Sequence, residues 1–128
     1  MDSTIAPKVM IVGEDTEFIY LMQRYVNQGG HQAFVARPSP EMVDLVRQEV
    51  PLCILMDVES PSAHGWDILR MLKADPDTRD IPVVICSWLD EEARCLEEGA
   101  EAHLRKPVMY DDIWATLKDA GIHIGQKE

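Results

Sequence analysis

Positive charge is scarce in this 128-residue chain, which carries 12 lysine and arginine side chains against 23 aspartate and glutamate side chains, a formal net charge of -11. A surface of that sign repels phosphate groups, so we expect no direct binding to nucleic acid or to an anionic membrane. No apolar run approaches the roughly 20 residues that a membrane-spanning helix needs. The N-terminus also lacks the basic start and long apolar stretch of a signal peptide. These absences make the cytoplasm the expected location.

Cysteine is scarce as well. The three cysteines are odd in number and show no C-x-x-C spacing. Cys53 and Cys86 lie inside apolar runs, where cysteine acts as a small hydrophobic residue, and we expect Cys95 to be a half-exposed helix residue. The four histidines are scattered without metal-ligand spacing. We therefore expect neither a disulfide nor a zinc site.

The chain does contain short apolar runs of the kind that form buried strands. Three of them are unbroken by polar residues: Val9–Val12, Leu52–Met56 and Val83–Cys86. Runs without polar alternation are typical of strands covered on both faces, as in a parallel sheet between helices. Two weaker strands are predicted at Gln32–Ala36 and Ala102–Arg105.

Helical periodicity fills the intervals between these strands. The predicted helices are Thr16–Asn27, one opened by Ser39-Pro40, Trp66–Ala74, Asp90–Glu98 and Tyr110–Ala120. A strand and a helix thus alternate five times, which predicts one α/β domain with a doubly wound parallel sheet and right-handed crossovers. We place this domain at residues 8–120 and expect residues 1–7 and 121–128 to be loose ends.

Polar side chains follow the predicted strands at one edge of the sheet. Glu14 and Asp15 follow the first strand, Asp57 ends the third, Ser87 follows the fourth, and Lys106 follows the fifth. Ligand sites in parallel sheets form beyond the carboxyl ends of the strands. Clustered carboxylates need a cation, and hard oxygen donors suit Mg²⁺. Asp57 can then accept a phosphoryl group, whose oxygens a lysine and a hydroxyl would neutralise.

Each of these residues also has an ordinary structural explanation. Asp15 could cap the first helix, Ser87 could cap the fourth, and Lys106 could be a solvated charge before a proline. These explanations are independent of one another, and all of them would have to hold at several strand ends at once. The joint pattern therefore favours a site.

Taken together, these residues resemble a two-component response-regulator receiver domain of the chemotaxis-regulator type. The matching segments are Glu14-Asp15, Asp57 to Gly65, Val83–Ser87, Gly99-Ala100 and Lys106-Pro107. The resemblance covers essentially residues 8–120. It implies a flavodoxin-like (βα)5 fold with sheet order 2-1-3-4-5, and a cis Lys106-Pro107 bond.

The resemblance also implies a function. A sensor histidine kinase would transfer a phosphoryl group to Asp57, with Mg²⁺ held by Glu14, Asp15, Asp57 and the backbone carbonyl of Glu59. Phosphorylation would change what the protein binds. The phosphoryl group could pass on to a histidine phosphotransfer protein, or the domain could bind a target protein directly, and the expected oligomeric state is a monomer or a weak homodimer.

The resemblance further assigns Ser87 and Lys106 to the phosphoryl oxygens. Three residues depart from the family pattern: Ser60, Trp88 beside the switch hydroxyl, and His103 at the switch position, where the family normally has tyrosine or phenylalanine. The predicted output face, on which partners would bind, contains Trp88, Glu92, His103, Tyr110 and Trp114.

Two other classes of protein remain open on the sequence. A phosphatase with an aspartyl nucleophile would place a second aspartate two residues after Asp57, where Glu59 stands. A flavin-binding domain would need a glycine- and hydroxyl-rich phosphate loop at the position of Glu14 and Asp15.

Overall fold

The computed structural model describes residues 8–59 and 65–122, in which strands and helices alternate along the chain. The elements are β1 Lys8–Val12, α1 Thr16–Gln28, β2 Gln32–Ala36, α2 Met42–Glu49, β3 Cys53–Asp57, α3 Gly65–Ala74, β4 Val83–Ser87, α4 Glu92–Glu98, β5 Ala102–Arg105 and α5 Tyr110–Asp119. All strand pairs are parallel, and the sheet order is β2-β1-β3-β4-β5. The predicted doubly wound fold and strand order are confirmed.

The two faces of the sheet are covered by different helices because strand residues alternate in direction. One cluster joins alternate residues of the central strands, such as Ile11 and Leu55, to α1 and α5. The other joins the residues between them, such as Met10 and Ile54, to α2, α3 and α4. Strands β3 and β4 are buried along their whole length, which explains why their sequences are apolar without alternation.

The start of α2 differs from the sequence prediction. Ser39-Pro40 does not open this helix. The backbone carbonyl of Ser39 instead accepts a hydrogen bond from the N–H of Met42 in a turn, and the helix begins at Met42. The N–H of Val43 likewise donates to the carbonyl of Pro40 at 3.2 Å, so the chain forms turns with bonds three residues apart before the helix begins, and a proline-containing turn has the same local sequence signals as a helix start. Helix α4 likewise begins two residues after the predicted Asp90, at Glu92.

Packed residues continue past the predicted domain end at Ala120. Ile122 is 8% exposed and belongs to the cluster beneath α1 and α5. Its N–H donates to the carbonyl of Leu117. The expected loose end therefore does not begin at Gly121, because the apolar side chain of Ile122 completes the core. Residues 1–7 and 123–128 lie outside the described residues.

All three cysteines are buried and free. The prediction for Cys95 is wrong: it is 3% exposed because α4 lays this residue against the sheet. Burial raises the pKa of Cys53 to about 12 and that of Cys95 to about 11, and it raises the pKa of Cys86 as well. The thiols are therefore protonated at neutral pH and unreactive. In residues 8–59 and 65–122, every helix is too short or too polar to span a bilayer.

Candidate functional site

Three polar side chains are buried where β3, β4 and β5 end. Asp57 is 2% exposed, Ser87 is fully buried at 0%, and Lys106 is 8% exposed. Asp57 and Ser87 are the last residues of their strands, and Lys106 directly follows β5. The sheet therefore brings together three of the predicted site residues. Polar groups buried in this way need partners, and these side chains supply them to one another and to Glu59.

The centre of the site is an ion pair between Asp57 and Lys106. Lys106 Nζ lies 2.9 Å from Asp57 Oδ1, and the backbone N–H of Glu59 donates to the same oxygen at 3.0 Å. Lys106 also lies over the ring of Phe18, with Nζ 4.9 Å from the centroid. Burial alone would lower the pKa of Lys106, but hydrogen bonds and charges from Asp57 and Glu59 outweigh it and raise that pKa. The lysine is therefore a permanent cation in the site.

The side chain of Glu59 is a site group that the sequence prediction missed. Its Oε2 accepts hydrogen bonds from Ser87 Oγ at 2.8 Å and from the backbone N–H of Trp88 at 2.6 Å. Its Oε1 lies 3.3 Å from Lys106 Nζ. Burial would raise the pKa of Glu59, but the donors from Ser87, Trp88 and Lys106 hold it below its ordinary value. The sequence prediction gave a role only to the backbone carbonyl of Glu59, and the available signal was an acidic side chain two residues after Asp57, at the same edge of the sheet.

Ser87 contacts Glu59 rather than capping α4. Its hydroxyl donates to Glu59 and accepts a hydrogen bond from the N–H of Leu89 at 3.0 Å. The N-cap residue of α4 is Glu91, two residues beyond Leu89. The structural explanation of Ser87 as a helix cap is therefore wrong.

The acidic residues after β1 lie at the mouth of the site. Glu14 and Asp15 are both exposed. Asp15 Oδ1 accepts a hydrogen bond from the N–H of Glu17 at 3.0 Å, so Asp15 is the N-cap of α1. The structural explanation of Asp15 as a helix cap is therefore confirmed. A Cβ at Gly13 would lie 3.2 Å from Asp57 Cβ and 3.7 Å from Asp57 Oδ2. Glycine therefore lets the β1–α1 loop pass close to the Asp57 carboxylate.

The donor set at this mouth has the chemistry that Mg²⁺ prefers. Asp57, Glu14 and Asp15 offer hard carboxylate oxygens, and Gly13 leaves the space beside Asp57 Oδ2 that a side chain would fill. Among the described residues, no three acidic, histidine or cysteine side chains are already gathered as a metal-binding group. The oxygen donors and the space beside Asp57 therefore fit Mg²⁺. To bind it, the exposed Glu14 and Asp15 side chains would turn toward Asp57.

A cavity of about 140 Å³ adjoins the site between α1 and the loops after β4 and β5. Its lining is mostly apolar, and Asp15, Trp88 and Lys106 are on its wall. Trp88 is 55% exposed. This large side chain directly follows Ser87 in the chain and forms part of the wall of the cavity.

The predicted output face is divided in the structure. Glu92 is exposed on α4, and His103 is half-buried on β5 with its Nε2 buried and without a hydrogen-bond partner among the described residues. The Tyr110 ring packs on Tyr25 of α1, with centroids 5.8 Å apart. Trp114 is 7% exposed. These last two side chains of α5 face α1, because the apolar side of α5 is the one that closes the core.

Comparison with known proteins places this arrangement in a family. Residues 9–118 match the response regulator receiver domain family. The chain is 31% identical over 113 residues to the protein PilH of Pseudomonas aeruginosa, an alignment that covers 86% of this chain and 93% of PilH. It is 30% identical over 116 residues to the polar-differentiation response regulator DivK of Brucella anthropi, covering 88% of this chain and 94% of DivK.

A solved structure shares the fold at low sequence identity. It is the receiver domain of a sensor histidine kinase from Pseudomonas aeruginosa, described with a magnesium ion coordinated in its active-site cleft. The TM-score is 0.77 at 18% identity, and the match covers 91% of this chain and 98% of that one.

Proposed function

Because this chain belongs to the response regulator receiver domain family of two-component systems, we propose that it accepts a phosphoryl group on Asp57 from a sensor histidine kinase. The observation that carries the proposal is the buried Asp57 carboxylate, held 2.9 Å from Lys106 Nζ at the end of β3. Such a carboxylate is rigidly positioned beside a cation, as an aspartyl phosphoryl acceptor requires.

The proposed transfer is a displacement at phosphorus. A carboxylate oxygen of Asp57 attacks the phosphorus of the kinase phosphohistidine, so that an O–P bond forms and the P–N bond breaks. The bonding electron pair returns to the imidazole nitrogen, which takes up a proton from water. Lys106 and Ser87 are the groups of this chain that would bind the transferred oxygens, whose charge they offset.

Glu14, Asp15, Asp57 and the backbone carbonyl of Glu59 would hold Mg²⁺. When bound, the ion supplies positive charge to the phosphoryl oxygens. The magnesium ion described in the active-site cleft of another receiver domain supports a metal at this place in the fold. The residues of this chain would orient Asp57 through the Lys106 ion pair and through the N–H of Glu59, which donates to Oδ1.

Signal output would follow from the contacts of Ser87. A phosphoryl group on Asp57 attracts the hydroxyl, and His103 is the proposed switch residue on the neighbouring strand. His103 Nε2 has no hydrogen-bond partner among the described residues, so no hydrogen bond from them holds this nitrogen in its present position. The surface with exposed Trp88 and Glu92 is then the proposed binding face for a histidine phosphotransfer protein or another target protein.

The proposal is tested with acetyl phosphate and Mg²⁺, followed by intact mass measurement. We expect a single phosphate on the wild-type protein and none on Asp57→Asn, which keeps the shape of the side chain but loses the nucleophile. The matched control is Asp119→Asn at the exposed end of α5, which should label like the wild type. Undiminished labelling of Asp57→Asn would falsify the assignment.

A further inference from the structure

The Glu59 carboxylate holds the donor groups that surround Asp57. Its Oε2 accepts from Ser87 Oγ at 2.8 Å and from the Trp88 N–H at 2.6 Å, and its Oε1 lies 3.3 Å from Lys106 Nζ. The same ammonium lies 2.9 Å from Asp57 Oδ1. One carboxylate thus accepts hydrogen bonds from a hydroxyl and an amide and forms an ion pair with the ammonium, directly beside the proposed phosphoacceptor.

A phosphoryl group on Asp57 would need hydrogen-bond donors of the same kinds. Its oxygens carry negative charge, and hydroxyl, amide and ammonium groups bind such oxygens. A serine hydroxyl has one proton to donate, and Ser87 donates it to Glu59. Ser87 therefore cannot donate to a phosphoryl oxygen while it keeps this bond. The backbone N–H of Trp88 is limited in the same way.

The backbone places the Glu59 side chain where it reaches these donors. The Glu59 N–H donates to Asp57 Oδ1 at 3.0 Å, which fixes this residue beside the carboxylate. From there the side chain crosses to the end of β4, where Ser87 and the Trp88 N–H lie. The contact joins residues 28 positions apart in the chain, so it depends on the pairing of β3 with β4.

We propose that the Glu59 carboxylate competes with a phosphoryl group on Asp57 for Ser87, Trp88 and Lys106, and thereby weakens the affinity of the site for that group. The inference rests on the proposed function of Asp57. Phosphorylation then requires Glu59 to turn into solvent and the Ser87 hydroxyl to redirect its proton. Glu59 is in this sense a residue that sets how readily the site accepts a phosphoryl group.

The test uses beryllofluoride, a phosphoryl mimic that binds without covalent transfer. The full chain is titrated with it in saturating Mg²⁺, and tryptophan fluorescence reports binding because Trp88 adjoins the site. Loss of charged hydrogen bonds commonly changes an equilibrium constant by about tenfold or more, so Glu59→Ala should bind beryllofluoride about tenfold more tightly than the wild type. Glu59→Gln, which keeps the shape without the charge, should fall between them.

The matched control is Glu97→Ala, which removes the same charge from an exposed position of α4 and should leave the affinity unchanged. A second measurement, by NMR, uses the metal-free protein. The Trp88 amide proton should move upfield in the NMR spectrum of Glu59→Ala, because it loses its carboxylate acceptor. Both changes together support the competition.

The outcomes separate this inference from the proposed function. If Glu59→Ala and Glu59→Gln bind beryllofluoride no more tightly than the wild type, the competition is overturned while Asp57 remains the phosphoacceptor. An equal gain in Glu97→Ala also overturns it, since net charge alone would then explain the effect. If the wild-type protein binds no beryllofluoride and takes no label from acetyl phosphate, the proposed function fails, and the competition fails with it.

Discussion

Gly29 lies against the ring of Trp114 so closely that a Cβ at this glycine would overlap Trp114 Cζ2 and lie 2.6 Å from Trp114 Cη2. Gly29 ends α1 with a φ of -78°, a value open to any residue. The glycine is therefore required by space rather than by backbone conformation. The indole also stacks on His31, with ring centroids 5.6 Å apart.

We expect Gly29→Ala to destabilise the protein. Overpacking against a rigid ring typically costs about 1–3 kcal/mol, and the free energy of unfolding from urea titration should fall by that amount. In a Trp114→Leu background the same change should cost less, because the leucine side chain leaves room. Equal losses in both backgrounds would show that the indole is not the obstacle. Asn27→Ala, an exposed change two residues before Gly29, serves as the surface control.

Burial of His31 predicts a pH dependence of stability. The side chain is 4% exposed, its Nδ1 has no hydrogen-bond partner among the described residues, and burial lowers its pKa from 6.5. The unfolded chain therefore binds the proton more readily than the folded chain. The stability that comes from neutral His31 is fully present above pH 6.5 and is lost as the pH falls through the lower folded pKa.

His31→Phe keeps an aromatic ring beside Trp114 and removes this titration. Urea titrations at pH 7.5, 6.5 and 5.5 should show a smaller loss of stability on acidification in His31→Phe than in the wild type. Parallel losses in the two proteins would mean that His31 does not contribute.

Mg²⁺ should stabilise the folded protein, because the proposed ligands are brought together only by the fold. At about a hundredfold excess over the dissociation constant, the expected gain is roughly 2.7 kcal/mol. Thermal unfolding with and without Mg²⁺ at matched ionic strength measures it. The gain in stability should be much smaller in Asp57→Asn. A wild-type melting temperature that does not change when Mg²⁺ is added would contradict the proposed metal ligands.

Val50 holds a left-handed backbone conformation, with a φ of 45° and a ψ of 63°, where α2 ends. A β-branched side chain is strained there, and this one is 67% exposed, so little burial would be lost on replacement. Val50→Asn should raise the free energy of unfolding by about 1 kcal/mol, since asparagine tolerates this conformation. Val50→Ala should gain less. An asparagine variant no more stable than the wild type would argue against strain at this position.

The sequence by itself determined the order of elements and the positions of the main site residues. Unbroken apolar runs can be read locally, because a strand buried on both faces needs apolar side chains at every position. The shared position of Asp57, Ser87 and Lys106 could be predicted once the strands were assigned, because parallel strands present their carboxyl ends at one edge of the sheet. Helix boundaries were less secure, as Ser39 shows, because a proline-containing turn and a helix start share the same local signals.

Only the tertiary structure decided what these side chains touch. The bond from Ser87 to Glu59 and the ion pair of Lys106 with Asp57 join residues 28 and 49 positions apart. The burial of Cys95 and the packing of Trp114 on Gly29 depend in the same way on how helices lie against the sheet and one another. Periodicity records which residues are apolar, whereas the partner of each side chain is set by packing between elements that are distant in the chain.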